Sequence, residues 1–332
     1  MRPRASCGAC PAARSRPAWL TKSCRWPRSP TPSNNLWLAL TRADMELTQA
    51  AFDDLRQSIH RLCGIVLTED KEYLVRHRLE PVARRCGCRS LDEFRTKLAG
   101  SEAILLQGAI IEAITTQETA FFRDRHPFDA LRQHVLPDLV RTQRAATGAI
   151  RRPIRIWCAA AATGQEPYSL AILIQEWTHA SRPHGPRPED FSITATDISA
   201  EALATATTGA YERRQVDRGL NTTQIHKYFE HCGERWVARP ALRKLVEFRR
   251  LNLIQPFTDL GIYDLILCRN VLIYFDEDTR RRICHQFYAM LPEGGWLLLG
   301  AAENLYGITD RFLSVRFGDT LIYRKPLPPA AV

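Results

Sequence analysis

Four stretches of this chain carry residue types that could do chemistry. Residues 263–275 read YDLILCRNVLIYF, an apolar run that stops abruptly at Arg269 and Asn270, with Tyr274 close behind. Such a run has the length of a strand buried on both faces. Ligands of open α/β sheets sit beyond the carboxyl ends of parallel strands, so a strand that delivers Arg, Asn and Tyr is a site candidate. A core strand with an ordinary polar exit would read the same way. Residues 115–124, TTQETAFFRD, set two aromatics between hydroxyl-bearing and charged neighbours. They fit a loop that the Phe residues anchor while Gln117, Thr119 and Arg123 face a ligand; Phe121 and Phe122 equally fit a plug in an interdomain seam. Residues 159–166 form a small-residue loop containing Gly164, between a strand at 154–158 and a helix at 167–177. That order opens a nucleotide-binding sheet, because small side chains let a ligand approach the backbone and the helix start offers free N–H groups. A second strand, 191–196, ends at Asp197, where an acid usually holds a ribose hydroxyl pair.

These residues need a scaffold. Strands at 154–158, 191–196, 245–251, 263–268 and 296–299, with a late one at 321–323, alternate with helices at 167–177, 200–207 and 278–291. Alternation of this kind predicts a mostly parallel, doubly wound α/β sheet with right-handed crossovers. Between 208 and 244 the pattern lapses, and its Tyr, Phe and Trp residues suggest a small β insertion at about 210–245. Ahead of the sheet the period is helical. Phe52, Leu55, Ile59 and Leu62 share one face, and Gly64 is placed to end their helix. A helix at 71–86 puts Val75, Leu79, Val82 and Cys86 together, with Pro81 expected to kink or split it. Shorter helices are predicted at 91–98 and 102–115. An amphipathic linker helix at 127–144, broken at Pro137 and closed at 147–148, leads to the sheet. The expected division is a helical domain at 45–126, a linker at 127–150, the α/β domain at 151–325 and a tail at 326–332.

The formal charge of +10 invites a nucleic-acid reading, but its location argues against one. Residues 1–44 hold eight of the 46 Lys and Arg residues and one of the 36 acids, leaving 38 basic and 35 acidic groups for the rest. The body is nearly balanced. That first segment is rich in Pro, Arg, Ser and Ala and lacks an apolar core, so it is expected to be a disordered or wrongly assigned extension ahead of Met45. No apolar run approaches the ~20 residues of a membrane span. Residues 71–89 carry six basic residues and two acids, Arg78 and Arg84 among them, a density that suits an acidic partner or simply a solvated helix face. The seven cysteines beyond residue 44 form no paired knuckles and read as reduced thiols of a cytoplasmic protein, and the spacings of Cys86, Cys88, His226, His231 and Cys232 fit no standard zinc pattern. No metal is expected.

Taken together, ITTQETAFFRD, RIWCAAAATGQEPYSLA, ITATDIS, FRRLNL, YDLILCRNVLIYFD and GGWLLLGAAENL, in this order, resemble the chemotaxis receptor protein-glutamate methyltransferases, the CheR-type enzymes. The resemblance runs over about 46–325. It implies a class I methyltransferase-like domain behind a small all-α domain, S-adenosylmethionine as methyl donor with S-adenosylhomocysteine as product, and glutamate γ-carboxylates on the cytoplasmic helices of methyl-accepting receptors as acceptors. It also implies a single copy as the acting unit. Carried over, Gln117, Thr119 and Arg123 would line the donor pocket from the linker side. Ala160, Gly164 and Glu166 would hold the amino-acid end, Asp197 the ribose, and Asn252, Asn270 and Val271 the adenosine surroundings. Arg123 and Tyr274 would stand nearest the methyl, Arg269 would be structural, and Arg78 and Arg84 would dock the receptor. The family commonly has Asn at the position of Gln117 and often His-Ser-Glu where this chain has Ala301-Ala302-Glu303; the first departure weakens the case for Gln117 as a ligand, and the second leaves the 301–303 turn unassigned. The segment 231–236 is shorter than the Gly-rich loop of peptide-binding members, which favours recognition independent of a receptor C-terminal peptide. An enzyme with a different carboxylate or protein acceptor would share these motifs, as would a non-catalytic donor-sensing scaffold, against which Arg123 and Tyr274 together argue. Nucleic-acid methylation is disfavoured by the absence of an N/D-P-P-Y motif.

Overall fold

The helical periods at the start of the chain become α1 (Gln49–Cys63), α2 (Glu72–Arg85), α3 (Leu91–Leu98) and α4 (Ala103–Ile114). They belong to a computed structural model that describes residues 45–328 apart from 101, 102, 148–151, 182 and 184. The expectations for 1–44, for the close of the linker helix at Gly148 and for the last four residues lie outside the described residues. Thr48 caps α1 by accepting from the Ala51 N–H, and Gly64 closes it in the left-handed region. Phe52, Leu55 and Ile59 meet Val75, Leu79 and Val82, Leu91 and Phe94, and Leu106, Ile110 and Ile114 in one apolar cluster, with Leu62 at its margin. Of the kink or split expected at Pro81, the split does not occur, and α2 continues through Pro81 as one helix. Pro81 and His77 both lie on the exposed side, where water can satisfy the carbonyl that proline leaves unpaired.

The linker helix likewise continues where a break at Pro137 was expected. α5 (His126–Ala130) passes through a wide π turn at Leu131–Val135 into α6 (Leu136–Thr147). The Leu136 N–H reaches the Leu131 carbonyl, so the wide turn is complete one residue before the proline. Pro137 then sits in the first turn of α6, which needs no donor from it.

The α/β part runs β1 (Ile154–Ala159), α7 (Gln165–Ala180), β2 (Phe191–Asp197) and α8 (Ala200–Thr208). An excursion follows, comprising β3 (Ala210–Glu212), α9 (Arg213–Asp217), α10 (Thr222–Tyr228), β4 (Phe229–Cys232), β5 (Arg235–Ala238) and α11 (Pro240–Arg243). The chain then returns through β6 (Val246–Arg250), β7 (Leu265–Cys268), α12 (Glu277–Met290), β8 (Trp296–Leu299), β9 (Leu313–Phe317) and β10 (Thr320–Arg324). The main sheet has seven strands in the order β6-β2-β1-β7-β8-β10-β9. The first five are parallel to their neighbours, and β10 and β9 are antiparallel. The expected small β insertion is a separate three-stranded sheet ordered β3-β5-β4.

Burial on both faces explains the apolar runs. Ile154, Ile156 and Cys158 of β1 join Leu265 and Leu267 of β7 in one core, while Trp157, Ala159, Ile266 and Cys268 join the opposite one with Ile283 and Phe287 of α12. Strand β9 was not anticipated. It is an edge strand with Leu313, Ser314 and Arg316 exposed, so one-sided packing leaves little apolar signal to read. All seven described cysteines are free; five are buried, Cys86 is half-buried and Cys232 is exposed on β4. No helix among the described residues is long and apolar enough to cross a membrane.

Candidate active site

β1 is flanked by β2 on one side and β7 on the other, so the crossovers leave in opposite directions and open a crevice at the strands' carboxyl ends. A cavity of about 230 Å³ lies there. Gln117, Thr119, Arg123, Ala160, Glu166, Asp197, Asn252, Asn270, Val271 and Tyr274 all line it. Gly164 does not.

The floor is the turn after β1. Ala160 and Ala162 both adopt left-handed backbone, at φ 56° and 48°, a conformation that costs energy in a residue with a Cβ and persists where its surroundings enforce it. The Ala162 N–H donates to Asp197 Oδ2 at 2.8 Å, tying the tips of β1 and β2 together. Gly164 caps α7 at φ 91°. A Cβ there would stand 2.8 Å from Ala206 Cβ and 3.1 Å from the Tyr211 hydroxyl. It therefore lets the turn pack against α8 and Tyr211, which replaces its expected place in the cavity wall.

Asp197 is 5% exposed, and its other oxygen accepts from the Ser199 N–H at 2.9 Å. Burial pushes this carboxyl up, while the Ser199 and Ala162 N–H groups pull the other way. Each oxygen keeps a lone pair for a hydroxyl donor. Gln117 donates from Nε2 to Thr115 Oγ1 at 3.0 Å, but its Oε1 is buried with no partner among the described residues. A buried acceptor without a donor is rare in a finished structure and suits a ligand bearing hydroxyl or amino groups.

Glu166, in the first turn of α7, is buried beside Arg269, whose Nη1 donates to Glu166 Oε2 at 2.9 Å. Burial pushes this carboxyl up, and the charges of Arg269 and then Arg123 oppose the rise. The Arg269 side chain is only 2% exposed, and its Nη2 also donates to Asp124 Oδ2 at 2.7 Å and to the Arg123 carbonyl at 3.1 Å. It is a structural hub that fastens the 115–125 loop to the end of β7. That loop is held at three left-handed positions, Phe122, Asp124 and Arg125. Phe121 is buried edge-on against Tyr211 and Phe229, with centroids at 5.1 and 5.4 Å, and the Phe122 N–H donates to Ser169 Oγ at 2.8 Å. The aromatics pack into the core beside Tyr211, Phe229 and Phe128, while Gln117, Thr119 and Arg123 line the cavity. Arg123 reaches it with one guanidinium bond, 3.2 Å to the Glu118 carbonyl.

The far wall is the segment after β7, where Asn270 is left-handed at φ 59°. The Tyr274 carbonyl accepts from the Val66 N–H at 2.9 Å, and Ile65 bridges Phe275. Asn252 lines the cavity, yet its amide is committed elsewhere: Nδ2 donates to the Leu62 carbonyl at 2.8 Å and Oδ1 accepts from the Ile254 N–H at 3.3 Å. It ties β6 to the end of α1. The docking pair is also divided. Arg84 is exposed and paired with Glu80 at 2.6 Å, whereas Arg78 is half-buried and donates to the Ala113 carbonyl at 3.1 Å, closing the end of α4.

Sequence reasoning did not anticipate the helical part of the wall. Cys63, Val66, Leu67, Lys71 and Leu74 line the same cavity as Asn270, some 200 residues away. Their only advance signal was the basic stripe that begins at Lys71.

A seven-stranded sheet of this order, with a small-residue turn after the first strand and an acid at the tip of the second beneath a cavity, is that of a class I S-adenosylmethionine-dependent methyltransferase. Residues 117–319 match the family described as CheR methyltransferase, SAM binding domain, and residues 50–115 match CheR methyltransferase, all-alpha domain. Chemotaxis protein methyltransferase 1 of Vibrio cholerae is 40% identical over 86% of this chain and 98% of its own length. Chemotaxis protein methyltransferase 1 of Pseudomonas aeruginosa is 38% identical over 84% of this chain and 99% of its own, and the Escherichia coli chemotaxis protein methyltransferase is 32% identical over 85% and 94%. The chain belongs to the CheR methyltransferase family.

Proposed function

We propose that this enzyme transfers a methyl group from S-adenosylmethionine to glutamate γ-carboxylates on the cytoplasmic helices of chemoreceptors, as a single copy in the cytoplasm, for adaptation of the receptor signal. One observation supports this most: Arg123 and Tyr274 line the same cavity as the buried acids Glu166 and Asp197. A pocket built only to sense the donor needs the acids. A carboxylate acceptor gives a reason for Arg123 and Tyr274.

Asp197 would accept hydrogen bonds from the ribose diol, Glu166 would face the donor's ammonium group, and the orphaned Gln117 oxygen would take a further donor. Asn270 and Val271 would shape the adenosine side, with Thr119 and Ala160 completing the wall. The bound donor would supply a sulfonium methyl whose bond to sulfur breaks as a glutamate carboxylate oxygen bonds to its carbon, giving a glutamyl methyl ester with S-adenosylhomocysteine as the leaving group. No general base is required, because a glutamate with a pKa of about 4.3 is already ionised at neutral pH. The protein must instead align nucleophile and methyl, and alignment of this kind is worth up to roughly 7–11 kcal/mol. Arg123 can hold the incoming carboxylate with donors that Glu118 leaves over, and the Tyr274 hydroxyl can donate beside it. The exposed basic face of α2, with Arg84 on it, would meet the acidic receptor helix.

The deciding experiment incubates the protein with labelled S-adenosylmethionine and purified receptor signalling domains, alongside other proteins and small carboxylates. Base-labile label on the receptor domains alone is the expected result. Label only on another acceptor, or none, would overturn the assignment of substrate.

A further inference from the structure

Glu303 lies in a turn to which neither the fold nor the cavity wall assigns a task. It follows β8, is 8% exposed, and does not line the cavity. Its carboxylate nevertheless accepts four backbone N–H groups. Oε2 takes those of Asn270 and Gly300 at 2.7 and 2.8 Å, and Oε1 takes those of Val271 and Ile273 at 2.9 and 3.3 Å.

The geometry explains why an acid is needed. Asn270 is left-handed, and the following backbone turns so that the N–H groups at 270, 271 and 273 converge on one point instead of pairing with a strand. Converging N–H groups form a nest, a concavity of positive potential that calls for an anion. Without one, buried donors would be left unpaired, at about 1–3 kcal/mol each. The approach is close on the β8 side too. A Cβ on Gly300 would stand 2.6 Å from Glu303 Oε2 and 2.8 Å from the Asn270 N–H, so only glycine fits between clamp and loop. The segment so clamped carries the side chains of Asn270, Val271 and Tyr274 into the cavity.

We infer that Glu303 is the positioning residue for this wall, fixing the adenosine-side residues and Tyr274 in register through their backbone. The inference rests on the donor-pocket reading above. Loss of the clamp should act on donor affinity and turnover together and leave receptor docking on α2 untouched.

The test compares wild type with Glu303→Gln, Glu303→Asp and Asn270→Ala, reading S-adenosylhomocysteine affinity by calorimetry on folded protein, and kcat and receptor KM by methyl transfer. Glutamine presents an NH2 group to two N–H donors, so kcat should fall on the order of 10- to 100-fold, the scale of an ångström-sized misplacement. Product affinity should weaken about tenfold and receptor KM should stay within about twofold, since the clamp touches the loop and not the docking face. Aspartate, which keeps the charge, should retain more activity than glutamine. If Glu303→Gln does not fold, the same readouts on Glu303→Asp decide. Wild-type affinity and kcat in the glutamine variant, with Asn270→Ala weakened, would overturn this inference alone. Wild-type affinity in both would overturn the donor-pocket reading with it.

Discussion

Replacing Arg269 with Met is the sharpest probe of how the site is held. The guanidinium makes charge-assisted bonds to Glu166 and Asp124 and a third bond to the Arg123 carbonyl, and its Nε is buried without a partner among the described residues. Methionine keeps most of the volume, so the loss is electrostatic rather than a cavity. The two carboxylates will not suffer equally. Asp124 is 34% exposed and can recover water, whereas Glu166 is 11% exposed and is left as a buried charge without its partner. Breaking one side of a buried pair costs about 3–5 kcal/mol. At roughly 2–4 °C per kcal/mol for a domain of this scale, the melting temperature should fall by about 6–20 °C. Adding Glu166→Gln removes the stranded charge, so the double variant should be more stable than Arg269→Met alone, with a coupling of about 2–3 kcal/mol. Donor affinity should not return, because the double variant lacks the carboxylate proposed to face the ammonium. Urea and thermal unfolding of the four proteins, with S-adenosylhomocysteine titrations, complete the cycle. A cost below about 1 kcal/mol for Arg269→Met, or strict additivity in the double variant, would refute the hub argument.

The remaining predictions concern the chemistry and the docking face. Arg123→Ala should lower kcat by about 100-fold or more while weakening S-adenosylhomocysteine binding by less than about tenfold, since its value lies in orienting the acceptor; near-normal turnover would remove it from the mechanism. Burial raises the Glu166 carboxyl above its usual value, and only its ionised form can pair with an ammonium. Product affinity should therefore fall as pH drops through that raised value, earlier than an ordinary carboxylate would titrate, and calorimetry at falling pH should find the fall smaller in Glu166→Gln, the remainder belonging to Asp197, whose carboxyl burial also raises. Arg84 is exposed, and salt screens such charges over about 8–10 Å, so receptor KM should rise with ionic strength, and Arg84→Ala should raise it several-fold at low salt with kcat unchanged. A KM indifferent to salt would exclude this docking mode.

What was legible beforehand follows from where each signal resides. Strand β7 could be read because burial on both faces forces an unbroken apolar run, and that run ends where the site begins. Asp197 and the Ala160 turn could be read because the fold fixes their places at strand tips. The split offered for Pro81 and the break expected at Pro137 do not occur, because a proline breaks a helix only if its missing bond cannot be replaced. Solvent replaces it on α2, and a π turn completed one residue earlier makes it unnecessary on α6. Arg78 and Asn252 carry structural bonds that their types did not announce. Their types suit a ligand, but a carbonyl nearer in space had already claimed them, at Ala113 and Leu62.

The helical segment has a part in the site besides its proposed docking face. Glu112 of α4 accepts from the Ala200 N–H at 2.7 Å and from the Ser199 hydroxyl, so it sits at the start of α8, just after Asp197. His60 of α1 meets Asp276 at 2.7 Å, at the start of α12 and two residues beyond Tyr274. With Asn252 on Leu62 and Val66 on Tyr274, the segments that follow β2, β6 and β7 each have a polar tie to the helices within a few residues. Coupling of this kind runs through hydrogen bonds whose partners are 87 to 216 residues apart, which no local period can encode. Its physical consequence is that the cavity has a complete wall only while the helical segment is seated, so α2 is joined by packed structure to the place proposed for the methyl.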